Sequence, residues 1–198
     1  MKKEFKIIAE IIKKNTRVLD VGCGDGTLMK FLKENKNVDT RGFEISKTKA
    51  QNCIGKGLSV IEGNAEKDLQ QFPNSSFDYA ILSQTLQAFY NPEKVIDDLL
   101  RVSKKAIVTI PNFGFWKIRL HLLLKGTMPI TKNLPDEWYN TPNVHMCTIK
   151  DFFNFCSKKS IKLGKSIALN NEKTSSINIT NLNFKNLSSE LGIFLIEK

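Results

Sequence analysis

Apolar positions along this chain follow two rhythms. In Arg17–Val21, Thr40–Ile45, Leu58–Ile61, Asp78–Leu82 and Ala106–Ile110 they cluster in short runs. The fourth run is almost wholly apolar, as expected of a strand covered on both faces. Between the runs, apolar residues recur at three- and four-residue spacing, the period of a helix with one buried side. Thr27–Glu34 puts Leu28, Phe31 and Leu32 on one face, and Lys47–Lys56 is followed by Gly57, a left-handed stop. Pro92 opens a helix that runs to about Val102. Upstream, Phe5, Ile8, Ile11 and Ile12 mark a short amphipathic helix. Strands and helices alternate. That order predicts right-handed crossovers and an α/β fold with a doubly wound, mostly parallel sheet.

After Pro111 the rhythm changes. FGFWKIRLHLLLKG reads as a helix with Phe115, Ile118, Leu122 and Leu123 as its apolar stripe. TMPITKNLPDEWYNTPNVH holds three prolines and little periodicity. An irregular stretch of this length in a compact protein is usually a lid, a binding loop or a docking surface. We therefore expect one domain over residues 1–198, with residues 113–150 as a cap or docking segment within it. IKDFFNFCSKKS is a further helix, and late strands are expected near Ile161–Leu169 and Gly192–Glu197.

Composition narrows the function classes. Cys23, Cys53, Cys147 and Cys156 are scattered, with no CxxC or Cys/His cluster, so no zinc site or disulfide framework is expected. That usage suits a reducing cytoplasm. Glu4, Lys6 and Glu10 interrupt the first apolar stretch, so it is not read as an export signal, and no run reaches membrane-spanning length. The net charge of +10 invites a nucleic-acid reading. The lysines, however, are spread along the chain, and a solvated basic surface is preferred.

The chemistry concentrates in RVLDVGCGDGT, where Gly22, Gly24 and Gly26 follow the first strand. Open α/β sheets bind ligands at this end. A dinucleotide loop wants G-x-G-x-x-G, and here the third glycine is one residue early. A phosphate loop wants a Lys after its glycines, and none follows. Asp20 and Asp25 would also repel a pyrophosphate. The same carboxylates suit a zwitterion with a cationic end, such as S-adenosylmethionine or its demethylated form, S-adenosylhomocysteine. Asp20 would take the ammonium, and backbone N–H groups of the loop, around Cys23, would take the carboxylate. Glu44 lies about 20 residues past the glycines, where an acidic residue grips ribose hydroxyls. Ile45 would pack on the adenine, and Asn64 and Ala65 would lie at its edge. At the fourth strand's end, Ser83, Gln84 and Gln87 would line the cleft.

VLDVGCGDG, GFEIS and FDYAILSQ resemble class I S-adenosylmethionine-dependent methyltransferases. That resemblance implies a seven-stranded, Rossmann-like sheet with its last strand antiparallel. Asn64 stands where that superfamily usually has Asp. Longer blocks, among them CIGKGLSVIEGNAEKDLQQFPNSSFDYAILSQTLQAFYNPEKVIDDLLRV and AIVTIPNFGFWKIRLHLLLKGTMPITKNLPDEWYNTPNVHMCTIKDF, resemble the MetW family of methionine biosynthesis. This narrower resemblance implies a cytoplasmic protein that acts with a homoserine O-acyltransferase. It supplies no agreed catalytic residue.

Methyl transfer from a sulfonium needs mainly positioning, and a base only where the acceptor must lose a proton. His145 is the better base candidate. His121, inside RLHLLL, reads first as a histidine at a helix boundary. Trp138 and Tyr139 suit either the wall of an acceptor pocket or anchors in a protein interface. TIPNF lacks the residue order of the N-P-P-[YF] loop of amino-methylating nucleic-acid enzymes.

Overall fold

The structure, a computed structural model, describes residues 1–131 and 133–198. Eight strands form one sheet: β1 (Arg17–Val21), β2 (Asp39–Glu44), β3 (Ser59–Glu62), β4 (Phe77–Ser83), β5 (Ser103–Pro111), β6 (Lys162–Asn170), β7 (Lys173–Ser176) and β8 (Leu191–Glu197). Their order is β3-β2-β1-β4-β5-β8-β6-β7. The first five are mutually parallel, and β8 runs antiparallel to both β5 and β6. The helices are α1 (Lys3–Ile11), α2 (Thr27–Lys36), α3 (Lys47–Gly55), α4 (Ala65–Asp68), α5 (Pro92–Val102), α6 (Trp116–Lys125), α7 (Ile149–Lys158) and α8 (Leu182–Ser188).

The expected seven strands are present, and β7 makes an eighth. It pairs antiparallel with the outer edge of β6 after a tight turn in which Asn171 adopts φ +51°. Its sequence, KTSS, has no apolar residue, so no hydrophobic pattern announces it. Main-chain pairing to an open sheet edge holds it.

The sheet is buried between two layers. On one side Ile7, Ile8 and Ile12 of the α1 region and Leu28 and Leu32 of α2 pack under β1, β4 and β5. On the other, Ile96 and Leu99 of α5 meet Ile149 and Phe152 of α7. The stripe expected on α6 holds only in part. Phe115 and Ile118 are buried with Leu134, whereas Leu122 and Leu123 are exposed. Three- and four-residue spacing identifies a helix face but not whether the chain itself supplies a partner for it.

Two polar side chains fix how the ends of the strands are covered. Asn112, 1% exposed, turns the chain out of β5. Its Nδ2 donates to Asn186 O (2.8 Å) and Ser189 O (2.7 Å), and its Oδ1 accepts from Gly114 N and Ile149 N. The side chain thus ties together β5, α7 and α8. Glu4, 3% exposed, points from α1 into the carboxyl ends of β4 and β5. Its carboxylate accepts from Ser83 Oγ (2.8 Å), Gln84 Nε2 (2.6 Å) and Thr109 Oγ1. Hydrogen bonds to a charged group are the stronger kind, and a buried polar group left without its partner is costly.

Asn112→Leu strands two donors and two acceptors and is expected to lower the melting temperature by roughly 5–10 °C in a thermal scan. Glu4→Ala leaves one buried and two half-buried donors facing a void, with an expected drop of roughly the same size. Glu4→Gln, which can be rehydrogen-bonded by turning the two hydroxyls, is expected to lose about half as much.

Candidate functional site

The glycine loop leaves β1 at the carboxyl edge of the sheet and returns into α2. Gly22, Gly24 and Gly26 all have positive φ (+74°, +59° and +74°). At Gly22 an added Cβ would lie 2.6 Å from Thr85 Cγ2, and at Gly26 2.4 Å from Leu58 Cδ1. These two glycines therefore serve close packing as well as the backbone turn. A Cβ on Gly24 would meet nothing within 4 Å, so the crest of the loop faces open space.

That space is a cleft of about 690 Å³. Asp20 and the loop from Gly22 to Asp25 form its floor. Ser83, Gln84 and Thr85 stand at the end of β4, and Lys2, Phe5 and Lys49 line its rim. Asp20 is the least satisfied group in it. The side chain is 2% exposed, and Oδ1 has no hydrogen-bond partner among the described residues. Burial first, then the nearby carboxylates of Glu44 and Glu4, push its pKa up to about 7.

The amides of Gly22, Cys23 and Gly24, expected to hold a carboxylate, already have partners within the chain. Gly22 N and Cys23 N both donate to Phe43 O (2.7 and 3.1 Å). Gly24 N donates to Glu44 Oε2 (2.8 Å). The cationic groups lining the cleft are instead Lys2 and Lys49. Asp25 is also committed: it accepts from Thr27 N (3.0 Å) and Thr27 Oγ1 (2.8 Å), bonds that hold its pKa below the usual carboxylate range. The Cys23 thiol is driven well above its ordinary pKa, chiefly by burial, and stays protonated.

Glu44 ends β2 beside the loop, with its oxygens accepting from Gly24 N and Ser46 N (2.9 Å). Each carboxylate oxygen keeps a lone pair for a further donor. Ile45 is 71% exposed. Asn64 Oδ1 caps α4 by accepting from Glu66 N (2.9 Å), and Ala65 is buried behind it. Glu44, Ile45, Asn64 and Ala65 lie outside the walls of the cleft. Ser83 Oγ and Gln84 Nε2 are spent on Glu4. Gln84 has φ +50°, a conformation that costs a non-glycine residue energy, and its bonds to Glu4 and to Thr109 O and Oγ1 hold it there.

Other candidates lie elsewhere. Gln87 and His145 line a separate cavity under α5 and α7, away from the glycine loop. His121 Nε2 meets Thr127 Oγ1 at 3.2 Å at the end of α6. Trp138 and Tyr139 form an edge-to-face pair with ring centroids 5.6 Å apart. Both rings are more than 70% exposed, so neither walls an enclosed pocket. Sequence reasoning missed Glu4 and Lys49. Glu4 left a signal: with Ile7, Ile8 and Ile12 it sits on the buried face of α1, where a carboxylate needs partners.

The residues fit S-adenosylmethionine at one test point. A buried carboxylate with an unanswered oxygen lines the same cleft as Lys2 and Lys49, a charge pattern that matches a ligand carrying both an ammonium and a carboxylate. No helix among the described residues is long and apolar enough to cross a membrane.

Comparison with known proteins agrees with the fold. An S-adenosylmethionine-dependent methyltransferase from Mesorhizobium loti superposes with a TM-score of 0.70 at 14% identity, covering 100% of this chain and 98% of that one. The [4+2]-cyclase SpnF superposes at 0.68 and 14% identity, covering 99% and 80%. A bifunctional methionine biosynthesis protein MetXA/MetW from Rhodopirellula baltica is 30% identical over 169 residues. That match covers 81% of this chain and 27% of the relative, so the chain spans about a quarter of the fused protein's length. The family model described as methionine biosynthesis protein MetW matches residues 2–196, nearly every residue from α1 to β8, and by that match the chain belongs to the MetW family of methionine biosynthesis proteins.

Proposed function

We propose that the chain binds S-adenosylmethionine in the glycine-loop cleft and is an accessory subunit of a homoserine O-acyltransferase in the cytoplasm. The observation that carries this reading is the fusion. In the Rhodopirellula relative, a stretch similar to this chain is covalently joined to a MetXA part. Fusing two units raises their mutual effective concentration, which favours units that work together.

The surface supports docking. α6 buries only Ile118, while Leu123 and Leu124 are 81% and 72% exposed and Trp116, Leu120 and Leu122 are also open. Trp138 and Tyr139 extend the same segment. Large apolar side chains gathered on one surface mark an interaction site more often than a bare surface. In this reading residues 113–150 are the docking segment.

Within the cleft, Asp20 takes the ligand's ammonium and Lys2 and Lys49 its carboxylate. Glu44 uses its spare lone pairs on the ribose, and Ile45 covers the adenine. Asn64 keeps an amide edge toward the base but lacks a charge. S-adenosylmethionine supplies an activated methyl group when bound. As the downstream product of methionine synthesis, it is also suited to regulate the complex. An active methyltransferase on a small molecule is the second reading, favoured by the fold shared with the Mesorhizobium enzyme. A methyltransferase-like fold also serves the cyclase SpnF, so the fold alone does not decide between them. In this second reading His145 does not serve as base, because its cavity shares no wall with the cleft. Methyl-labelled S-adenosylmethionine incubated with cell metabolites separates the two: labelled product supports transfer.

The sign of the pH dependence follows from Asp20. The folded chain holds this proton up to about pH 7, whereas an unperturbed carboxyl loses it near 3.8. The stability due to this group therefore falls as pH rises from about 4 to about 7. Asp20→Asn removes the penalty, and the ligand-free variant is expected to melt higher than wild type at pH 8, by about 2–4 °C for each kcal/mol relieved. Calorimetry is expected to show wild-type affinity for S-adenosylmethionine rising from pH 6 to pH 8 as Asp20 ionises. In the variant the profile is flat and affinity at pH 8 is about tenfold lower or worse. Equal affinity in the two proteins would remove Asp20 from the site.

Docking is tested by co-purification with the acyltransferase. Leu123→Glu and Trp138→Ala are expected to weaken the complex without lowering the melting temperature of the free chain, since both side chains are exposed. Saturating S-adenosylmethionine is expected to change docking or acyltransferase turnover. No change in either would end the regulatory part of the proposal.

A further inference from the structure

The loop between β4 and α5, residues 84–91, has two neighbours. On one side Gln84 and Thr85 line the glycine-loop cleft. On the other the loop holds the stretch that carries Trp138 and Tyr139. Among the described residues, the hydrogen bonds from residues 135–146 to any other part of the chain all end on this loop. Val144 N and His145 N donate to Gln87 O (2.8 and 2.9 Å). His145 Nε2, which must be the donor, is 3.3 Å from Tyr90 O. The other bonds of the stretch are internal, from Asn140 N to Glu137 O and from Asn143 N to Thr141 Oγ1.

Gln87 joins the two sides. Its side chain is buried, and Nε2 donates to Gln84 O at 2.8 Å. One residue thus grips the cleft wall with its side chain and the outer stretch with its carbonyl. Close packing around a buried side chain leaves it little room to absorb a shift of either neighbour. The cleft side of the loop also needs support. Gln84 sits at φ +50°, a backbone disfavoured for a residue with a Cβ, and bonds to Glu4 and Thr109 keep it there. A ligand packed against Gln84 and Thr85 biases the loop further toward this form.

The stretch held by the loop is open to solvent. Trp138, Tyr139, Val144 and Met146 are all exposed. Few buried apolar side chains and few hydrogen bonds to the rest of the chain mark a segment that opens locally at low free energy. Its two states are defined by one pair of bonds: the Val144 and His145 amides rest on Gln87 O, or they are released to water.

We propose that a ligand in the glycine-loop cleft fastens the Trp138–Tyr139 stretch through Gln87, so that occupancy of the cleft sets how firmly the docking segment is held. The inference rests on the function proposed above and gives its regulatory part a route. Docking on a partner orders the residues that make the contact, and that ordering opposes binding. A ligand that has already fastened the stretch removes part of this opposition, and docking strengthens without any new contact. Gln87 lines no part of the cleft, so it acts as a positioning residue.

Amide hydrogen exchange of the full chain, followed by NMR with and without saturating S-adenosylmethionine, tests it. In wild type the ligand is expected to slow exchange of the Val144 and His145 amides about fivefold, the factor that one neutral hydrogen bond is worth. Gln87→Met keeps the side-chain length and the backbone carbonyl but loses the bond to Gln84 O. In that variant the ligand is expected still to shift the Gly24 and Thr85 amide signals, with no effect on exchange at Val144 and His145. Unchanged exchange along β1 and β4 reports an intact sheet. Either of two results overturns the proposal: exchange at Val144 and His145 that ignores the ligand in wild type while Gly24 and Thr85 shift, or equal slowing in wild type and Gln87→Met. The first needs no variant. No shift at Gly24 or Thr85 in wild type would instead remove S-adenosylmethionine from the cleft, and the fastening with it.

Discussion

Asp20 lies in near-complete burial one residue before the end of β1, with one oxygen that nothing among the described residues answers and two other carboxylates nearby. Water solvates a carboxylate far better than a protein interior does, so the arrangement destabilises the ligand-free fold. It persists beside a cleft lined with lysines, where a ligand with a cationic end and a carboxylate would relieve it. The neighbouring groups are arranged around that strain. Glu44 is held by Gly24 and Ser46, and Glu4 by Ser83, Gln84 and Thr109, whereas Asp20 Oδ1 has no partner among the described residues.

The glycine loop follows from the same constraint. It packs down on β2 and donates its amides to Phe43 and Glu44, rather than aiming them at a ligand as a phosphate loop would. α1 completes the cleft: its buried face anchors it to the sheet, and Glu4 reaches over the ends of β4 and β5. A helix that is remote in sequence from the strands it covers thus becomes part of the site wall.

Beyond β5 the packing changes. Asn112 holds the exit from the sheet rigidly, and past it α6 buries one residue and exposes several leucines. A firmly anchored base beneath an uncovered apolar face differs from a loosely packed loop, and it matches a membership in a family with a member fused to another biosynthetic unit.

The local patterns of the sequence determined the five parallel strands, the helices α2, α3 and α5 between them, though not α4, the glycine turn after β1 and the presence of a region unlike the rest after Pro111. Each is written in side-chain period or turn chemistry within a few residues, and the physics that reads it is equally local. β7 escaped because KTSS owes its place to the edge of β6 and has no pattern of its own. Only the tertiary structure decided that the amides of Gly22, Cys23 and Gly24 were spent, that Glu4 meets Thr109 across 105 positions, that His145 faces a different cavity from Asp20, and that Leu122 and Leu123 lie open. Which groups satisfy a buried charge, and which apolar faces find no cover, depends on pairings between distant segments, and those are set when the sheet closes its order rather than by the spacing of neighbours along the chain.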